Sequence, residues 1–508
     1  MDAAPPRASR RDHAAAFSID GRVGLMRCVA LIAVCLLSAC SLAPDYVRPA
    51  PPIPPSWPAG DAYLVRNEAA LPSLTYRQMF RDPRLQRLIA QALDNNRDLR
   101  IAIANIAQAR AQYRIQRAEL LPKLSGTASG VRSYRGKGAA AAPATANASG
   151  ATAAVAPSQG DTREYSLGVG ITAFEIDLFG RVRSLTTAAQ QRYLEQEAAA
   201  RATRLTLVGD IATAWLTYAS DRSLLKIAQE TVQSASMSVA LTRQRFEGGI
   251  APHSDLYQAN QVLHTAQSDL AEQTTAMAQD VNALRLLVGG PVDPELLPGS
   301  IQEATPTIGE LPAGLDSSIL LRRPDVVEAE YALRAVNAQI GAARAALFPR
   351  ITLTGMLGLS STALSDLFTH AAFNRTVGAS ASAAIFDAGA ARANVKYTQA
   401  QRDAALATYE KTLQIAFSEV SDALARRGTI DAQLLAQQNL VSDSASNYQF
   451  SDQRYRGGVE PFLSNLDAQR SYYSAQRGLV ATELVKATNL VTLYRTLGGD
   501  ATLETVQN

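Results

Sequence analysis

The stretch "QRFEGGIAPH" at residues 244–253 returns, slightly reworded, as "QRYRGGVEPF" at 453–462. The correspondence reaches beyond this segment. Gly180 answers Gly389, and "LVGG" (287–290) answers "TLGG" (496–499), each 209 residues apart, while Pro122 of "AELLPKL" answers Pro349 of "AALFPRI" at 227. A chain so constrained folds as two copies of one plan. A period near 200 residues is far too long for a stacked solenoid, so duplication of a whole unit accounts for it. The 18 residues by which the two offsets differ fall in "RGKGAAAAPATANASGATAAVAPSQGD" (135–161), a low-complexity segment of loop composition. A proline-rich stretch, 291–312, separates the halves.

Each half reads helix, strand, strand, long helix, hairpin, helix. Leu406, Tyr409, Leu413, Ala416, Val420 and Ala423 step by three and four. So do Leu263, Ala266, Leu270, Met277, Val281, Leu284 and Val288, allowing for one longer step. This is a coiled-coil seam on otherwise polar helices. No proline interrupts Val182 to Phe246, and at about 1.5 Å per residue a continuous helix there approaches about 100 Å. Such a length suits crossing a compartment better than filling a globule. In each hairpin a glycine pair, Gly248 and Gly249 or Gly457 and Gly458, marks the helix stop and turn.

The strands carry the other half of the reading. Tyr165, Leu167, Val169 and Ile171 alternate with Ser166, Gly168, Gly170 and Thr172. Ile351, Leu353, Leu357 and Leu359 share one face of 350–361, and Val377, Ala379, Ala381, Ala383 and Ile385 share one face of 375–386; 123–134 is a weaker fourth. Segments of about ten residues, apolar on one face and small or polar on the other, form the walls of transmembrane β-barrels. A half-buried soluble sheet has the same pattern. Four strands cannot close a barrel, and open edges are not tolerated in lipid. Two copies would supply about eight strands around a side-chain-filled interior, and three about twelve around one with room for water. The expectation is a homotrimer, an α+β protein in which four strands per chain contribute to a 12-stranded β-barrel and the long helices pack as coiled coils.

The N-terminus agrees with a membrane destination. Cys28, Cys35 and Cys40 all lie in the first forty residues, and "CVALIAVCLL" (28–37) behind Arg27 has the length of a signal-peptide core. "LSAC" (37–40) resembles a bacterial lipobox, which implies cleavage before Cys40 and lipidation of its thiol. Residues 1–39 are then a signal segment, with translation expected to begin near 23–26. A net charge of +3 on a chain this long calls for no nucleic acid. His13, His253, His264 and His370 have no ligand spacing, so no metal or cofactor is expected. "GVRSYRGKG" (130–138) misses phosphate-loop spacing by one residue. No nucleophile–base arrangement stands out, and no catalytic residue is assigned.

The stretch "LLRRPDVVEAEYALRAVNAQIGAARAALFPRITLTG" (320–355), with "SACSLAPDY" (38–46), "ALDNNRDLRIA" (92–102), "FEIDLFG" (174–180) and "LDAQRSYYSAQ" (466–476), resembles the outer-membrane efflux factors, the TolC and OprM type. Within them it is most similar to the NodT-type lipoproteins. Tyr76 and Met79 depart from the Trp and Phe expected there, which touches local packing alone. The resemblance implies a lipid anchor and strap over 40–80, a first repeat over 81–290, a linker over 291–317, a second repeat over 318–499 and a tail over 500–508. It implies a trimeric channel-tunnel, a β-barrel in the outer membrane continued by an α-barrel through the periplasm. This is the non-enzymatic exit duct of a tripartite RND-type pump, joined by a periplasmic membrane-fusion adaptor to an inner-membrane transporter. It places the hairpins at the far tip, where the duct closes. Leu463 and Asp467 match the constriction positions, an apolar and an acidic ring; three carboxylates on one axis repel each other and favour cations. Asp255 matches a residue that accepts latch contacts, with Tyr455 and Arg456 as partners. Within the same architecture, a duct for secreted proteins or metal ions remains open. From another class, so does a lipid-anchored periplasmic coiled-coil scaffold without a pore.

Overall fold

The computed structural model describes residues 41–63, 75–135, 160–309 and 317–499. The signal segment, Cys40, most of the low-complexity loop and the 500–508 tail lie outside the described residues. The first half runs α1 (Pro83–Asn95), α2 (Arg97–Ala118), β1 (Leu124–Arg135), β2 (Gly160–Glu175), α3 (Arg181–Glu247) and α4 (His253–Val288). The second runs α5 (Pro324–Ala345), β3 (Arg350–Ser361), β4 (Phe373–Ser382), α6 (Ala390–Arg456) and α7 (Phe462–Thr496). The chain divides into two compact units.

One unit, built on 112–189 and 335–402, contains all four strands. They form a single antiparallel sheet in the order β1-β2-β3-β4. The register turns the separate alternations into continuous faces, because directly opposed residues point the same way. Ala128 lies opposite Leu167, Leu167 opposite Leu359, and Leu359 opposite Phe373. Gly126, Val169, Leu357 and Arg375 form the next row. The reverse face lines up Ser129, Ser166 and Ser360, then Thr352 with Ser380, and hydroxyl pairs close at 2.7 Å between Ser129 and Ser166 and between Thr352 and Ser380. A bulge between Ile171 and Phe174 shifts β2 by one residue against β3 near the helical end.

β4 is shorter than its alternation suggests. Pairing ends where Ser382 meets Arg350, and the residue before Arg350 is Pro349, which has no N–H to continue the ladder. Ala383 to Phe386 therefore lie beyond the strand, and Ile385 and Phe386 are almost fully exposed. At this end Glu175 receives Arg181 through two bonds of 2.8 and 2.7 Å, and Arg350 at 2.6 Å. That carboxylate ties β2 and β3 to the first turn of α3. Phe179 stacks on Phe348 beside it, 4.6 Å between ring centres.

The other unit is helical. α3 and α6 are each unbroken over 67 residues. Part of the expected seam is buried: Tyr409, Leu413, Ala416 and Val420 are fully enclosed and Ala266, Leu284 and Val288 are enclosed to within 2%, while Leu263, Leu270, Met277, Val281 and Leu406 are half-buried. Trp215 is fully buried in the largest core, with Phe80, Leu85, Leu88, Leu284 and Val491, and its indole N–H donates to Leu296 O at 3.0 Å. Tyr76 and Met79 are buried in the same cluster, so the departures noted in sequence are accommodated.

The strap is clamped at intervals. Arg48 reaches the buried Glu330 by bonds of 3.0 and 2.6 Å, and Trp57 stacks on Phe417 at 5.0 Å. Gly428 admits the chain closely, since a Cβ there would stand 2.1 Å from Ala62 O. The duplicated "GG" texts are left-handed helix stops: Gly289 has φ +74° and Gly498 φ +91°.

α3 and α4 also bring Asp221 against Asp280. Burial, reinforced by the Asp221 charge and the hydrogen bond between the two, pushes the Asp280 carboxyl up to about 7, and burial raises Asp221 as well. An unfolded aspartate titrates near 3.8, so the folded chain binds more protons between about pH 4 and 7. Stability contributed by this pair is complete below that window and declines as pH rises through it. Asp280→Asn should flatten the fall of the thermal midpoint between pH 4 and 7 and raise the midpoint at pH 8, as read by scanning calorimetry.

Candidate gate at the two helical turns

Both turns are built the same way. After α3, the Gly248 N–H donates to Gln244 O at 3.0 Å and the Ile250 N–H to Arg245 O at 2.8 Å. After α6, the Gly457 N–H donates to Gln453 O at 2.9 Å and the Val459 N–H to Arg454 O at 3.0 Å. Gly249 and Gly458 take φ of +71° and +74°, a conformation costly for any residue with a Cβ. Pro252 and Pro461 then stand as N-caps of α4 and α7. Each proline lacks the N–H that a helix start would leave unpaired.

The surfaces of the turns differ. His253 sits between Phe246 and Tyr257, with ring centres 4.6 and 4.4 Å away, and Ile250 is exposed. The second turn carries an Arg454–Glu460 ion pair at 3.3 Å and an exposed Val459.

The turns are joined by a small core of Val239, Ala259, Tyr455, Phe462 and Leu466. Tyr455 is 3% exposed, and its hydroxyl lies 3.1 Å from that of the fully buried Thr242. The Arg245 guanidinium lies 4.4 Å from the centre of the Tyr455 ring and donates to Arg456 O at 3.2 Å. The Arg456 side chain turns back along its own helix to Asp452 at 2.8 Å. Asp255 is half-buried, and among the described residues its carboxylate accepts one long bond, 3.4 Å from Ser254. Within one chain, then, Tyr455 and Arg456 are brought to Thr242, Arg245 and Asp452, and not to Asp255.

Leu463 and Asp467 are one turn apart on the exposed side of α7, while Phe462, Asn465, Leu466 and Gln469 form its buried side. An apolar side chain left 55% exposed directly beside a carboxylate is a surface that single-chain packing does not use.

Farther from the turns, polar contacts also join the halves. Ser234 and Tyr448 hydroxyls are 2.9 Å apart, Gln469 donates to Ser234 at 3.3 Å, and Tyr473 donates to Asp269 at 2.6 Å. Burial, then the Asp269 bond, raises the Tyr473 hydroxyl above its ordinary range. Sequence reading missed Thr242 and Arg245. The available signal was Thr242 itself, a polar residue in step with the buried Ala235 and Val239.

A hydrogen bond of this kind contributes about 1 kcal/mol and a cation–π contact about 0.5–1 kcal/mol. Tyr455→Phe and Arg245→Ala should each speed amide hydrogen exchange at 242–249 and 455–460 roughly fivefold. Unchanged exchange in both variants would show that the turns are held elsewhere.

The sequence profile described as "Outer membrane efflux protein" matches residues 88–290 and again 315–499. The toluene efflux pump outer membrane protein TtgC of Pseudomonas putida is 42% identical over 466 residues, 91% of this chain and 93% of that protein. The outer membrane protein OprJ of Pseudomonas aeruginosa is 39% identical over 470 residues, 92% of this chain and 95% of that protein. Among solved structures, the open-state MtrE outer membrane channel of Neisseria gonorrhoeae superposes with a TM-score of 0.79 at 31% identity, covering 91% of this chain and 99% of that one. The CusC channel superposes at 0.78 and 35%, covering 91% and 100%.

Proposed function

Because this chain belongs to the outer membrane efflux protein family, we propose that three copies close one duct, with their tip turns as its gate. The protein is an outer-membrane efflux channel whose helices extend into the periplasm. The observation that carries the three-copy reading is the sheet. It has one apolar and one small, polar face, and among the described residues β1 and β4 each keep one edge without a strand. Lipid cannot satisfy those backbone groups, so another copy must. Three copies give about twelve strands, wide enough for a wet lumen lined by serine, threonine and glycine.

The duct would pass small apolar toxic compounds, in keeping with the solvent and antibiotic efflux for which several relatives are named. It would receive them from an inner-membrane RND-type transporter through a periplasmic adaptor. Lipid on Cys40 would add an anchor to the barrel. No step needs bond-making chemistry from the protein, since the transporter supplies the driving force.

At the tip, the exposed pair Leu463 and Asp467 would face the axis, repeated by each copy as an apolar and an acidic ring. Asp255 would take its latch partner from a neighbouring copy, because Tyr455 and Arg456 are already engaged within their own chain. An ion pair of that kind contributes only about 0.2–1 kcal/mol, weak enough for a docking partner to break.

Native mass spectrometry of the full chain in mild detergent should report three subunits, and a monomer would end the proposal. In planar bilayers Asp467→Ala should raise resting conductance, with Asp255→Ala raising it less. Conductance unchanged by Asp467→Ala would remove that residue from the gate.

A further inference from the structure

The apolar positions on the outward face of the sheet do not run the full length of β1 and β2. Beyond Ala128 and Leu167 come Gly130 opposite Tyr165, then Arg132 directly opposite Arg163, then Tyr134 opposite Asp161. These residues lie at the end of the sheet away from α2 and α3, which places them on the outer-leaflet side. β4 starts from the same end, and its first two outward positions are Phe373 and Arg375.

Two arginines facing each other across a ladder repel. Asp161, one step along the same face, only half relieves this. Arg132 donates to it from Nε at 2.9 and 3.0 Å and from Nη2 at 2.6 Å, while Arg163 stays 3.7 Å away. The neighbouring Glu164 occupies the opposite face. Two guanidinium groups thus share one carboxylate, and both remain largely open, 68% and 51% exposed.

A cation on a lipid-facing strand is costly in the hydrocarbon and tolerated only at the headgroup level. Tyrosines beside it mark the same level, and Tyr134 and Tyr165 flank the pair. The arginine fork presents parallel N–H donors that match phosphate oxygens.

We propose that Arg132 and Arg163 hold the phosphate of a phosphorylated lipid headgroup in the outer leaflet, with Tyr165, on the side of the apolar rows, against the first carbons of its chains and Tyr134 on the headgroup side. The inference rests on the reading of this sheet as a barrel wall. Asp161 acts as a positioning residue: it fixes the Arg132 fork and leaves Nη1 and most of Arg163 for the ligand. The residual positive charge between the strands selects an anion, and the apolar rows beneath select one that carries acyl chains.

The test uses the full-length assembly in mild detergent, titrated with bisphosphorylated lipid A and followed by native mass spectrometry. Wild type should bind it, and Arg132→Gln with Arg163→Gln should weaken binding about 25-fold, roughly fivefold per arginine. Arg132→Lys with Arg163→Lys keeps the charge but loses the fork and should bind between wild type and the Gln variant. Lipid A stripped of its phosphates should bind wild type as weakly as intact lipid A binds the Gln variant. The proposal is overturned if the Gln variant binds like wild type, or if removing the phosphates makes no difference to wild type. Displacement of the lipid by millimolar inorganic phosphate would reassign the pair to a free anion and overturn it too. Should the Gln variant fail to assemble, the phosphate comparison on wild type still decides. Single-channel recordings on the same preparations separate the two levels. Normal conductance with phosphate-independent binding sinks this inference alone, whereas a wild-type protein that forms no pore sinks the barrel reading beneath it.

Discussion

An unpaired strand edge in lipid leaves backbone N–H and C=O groups that nothing around them can satisfy. Among its described residues this chain presents two such edges, on β1 and β4, with four strands in the sheet between them. Every other feature of the strand unit is consistent with that constraint being met by further copies. The faces are continuous across all three pairings, so an apolar wall carries from strand to strand. The polar face is built of small residues, which leaves space on its side of the wall. The bulge in β2 and the loss of pairing at Pro349 both fall at the helical end, where the ladder gives way to α3 and α6.

The helical unit meets a different demand. Helices of 67 residues cannot be held by intrinsic propensity, so packing along a narrow seam must hold them. Some of the polar groups that interrupt the seam are paired across elements, Thr242 with Tyr455 and Ser234 with Tyr448. Such pairs add little net stability, yet a slipped register would leave each group buried and unsatisfied.

Duplication explains why the chain has two hairpins, and the turns show what divergence did afterwards. The backbone of the two turns is nearly the same, down to a left-handed glycine and a proline cap at matching places. Their surfaces are not. One carries an aromatic cluster around His253, edge-on to Phe246 and tilted against Tyr257, the other an ion pair and the exposed Leu463 and Asp467. Repeated hydrogen bonding keeps the turn, and the side chains around it are free to change with what they face.

The architecture was legible because it is periodic. Alternation of two along 164–173 and 350–361, steps of three and four along 406–423, and glycines repeated 209 residues apart are local properties of the text. They determined strand faces, helix seams, turn positions and the need for more than one copy. The tip contacts were not legible. Tyr455 could be marked as a residue that binds something, but its choice of Thr242 and Arg245 joins positions more than 200 residues apart. So does the clamp of Trp57 on Phe417. The opposition of Arg132 and Arg163 likewise depends on a register set across the low-complexity loop. Periodicity is set by neighbours along the chain, whereas a side chain's partner is set by which distant surfaces packing brings within a few ångströms, and only the folded structure decides that.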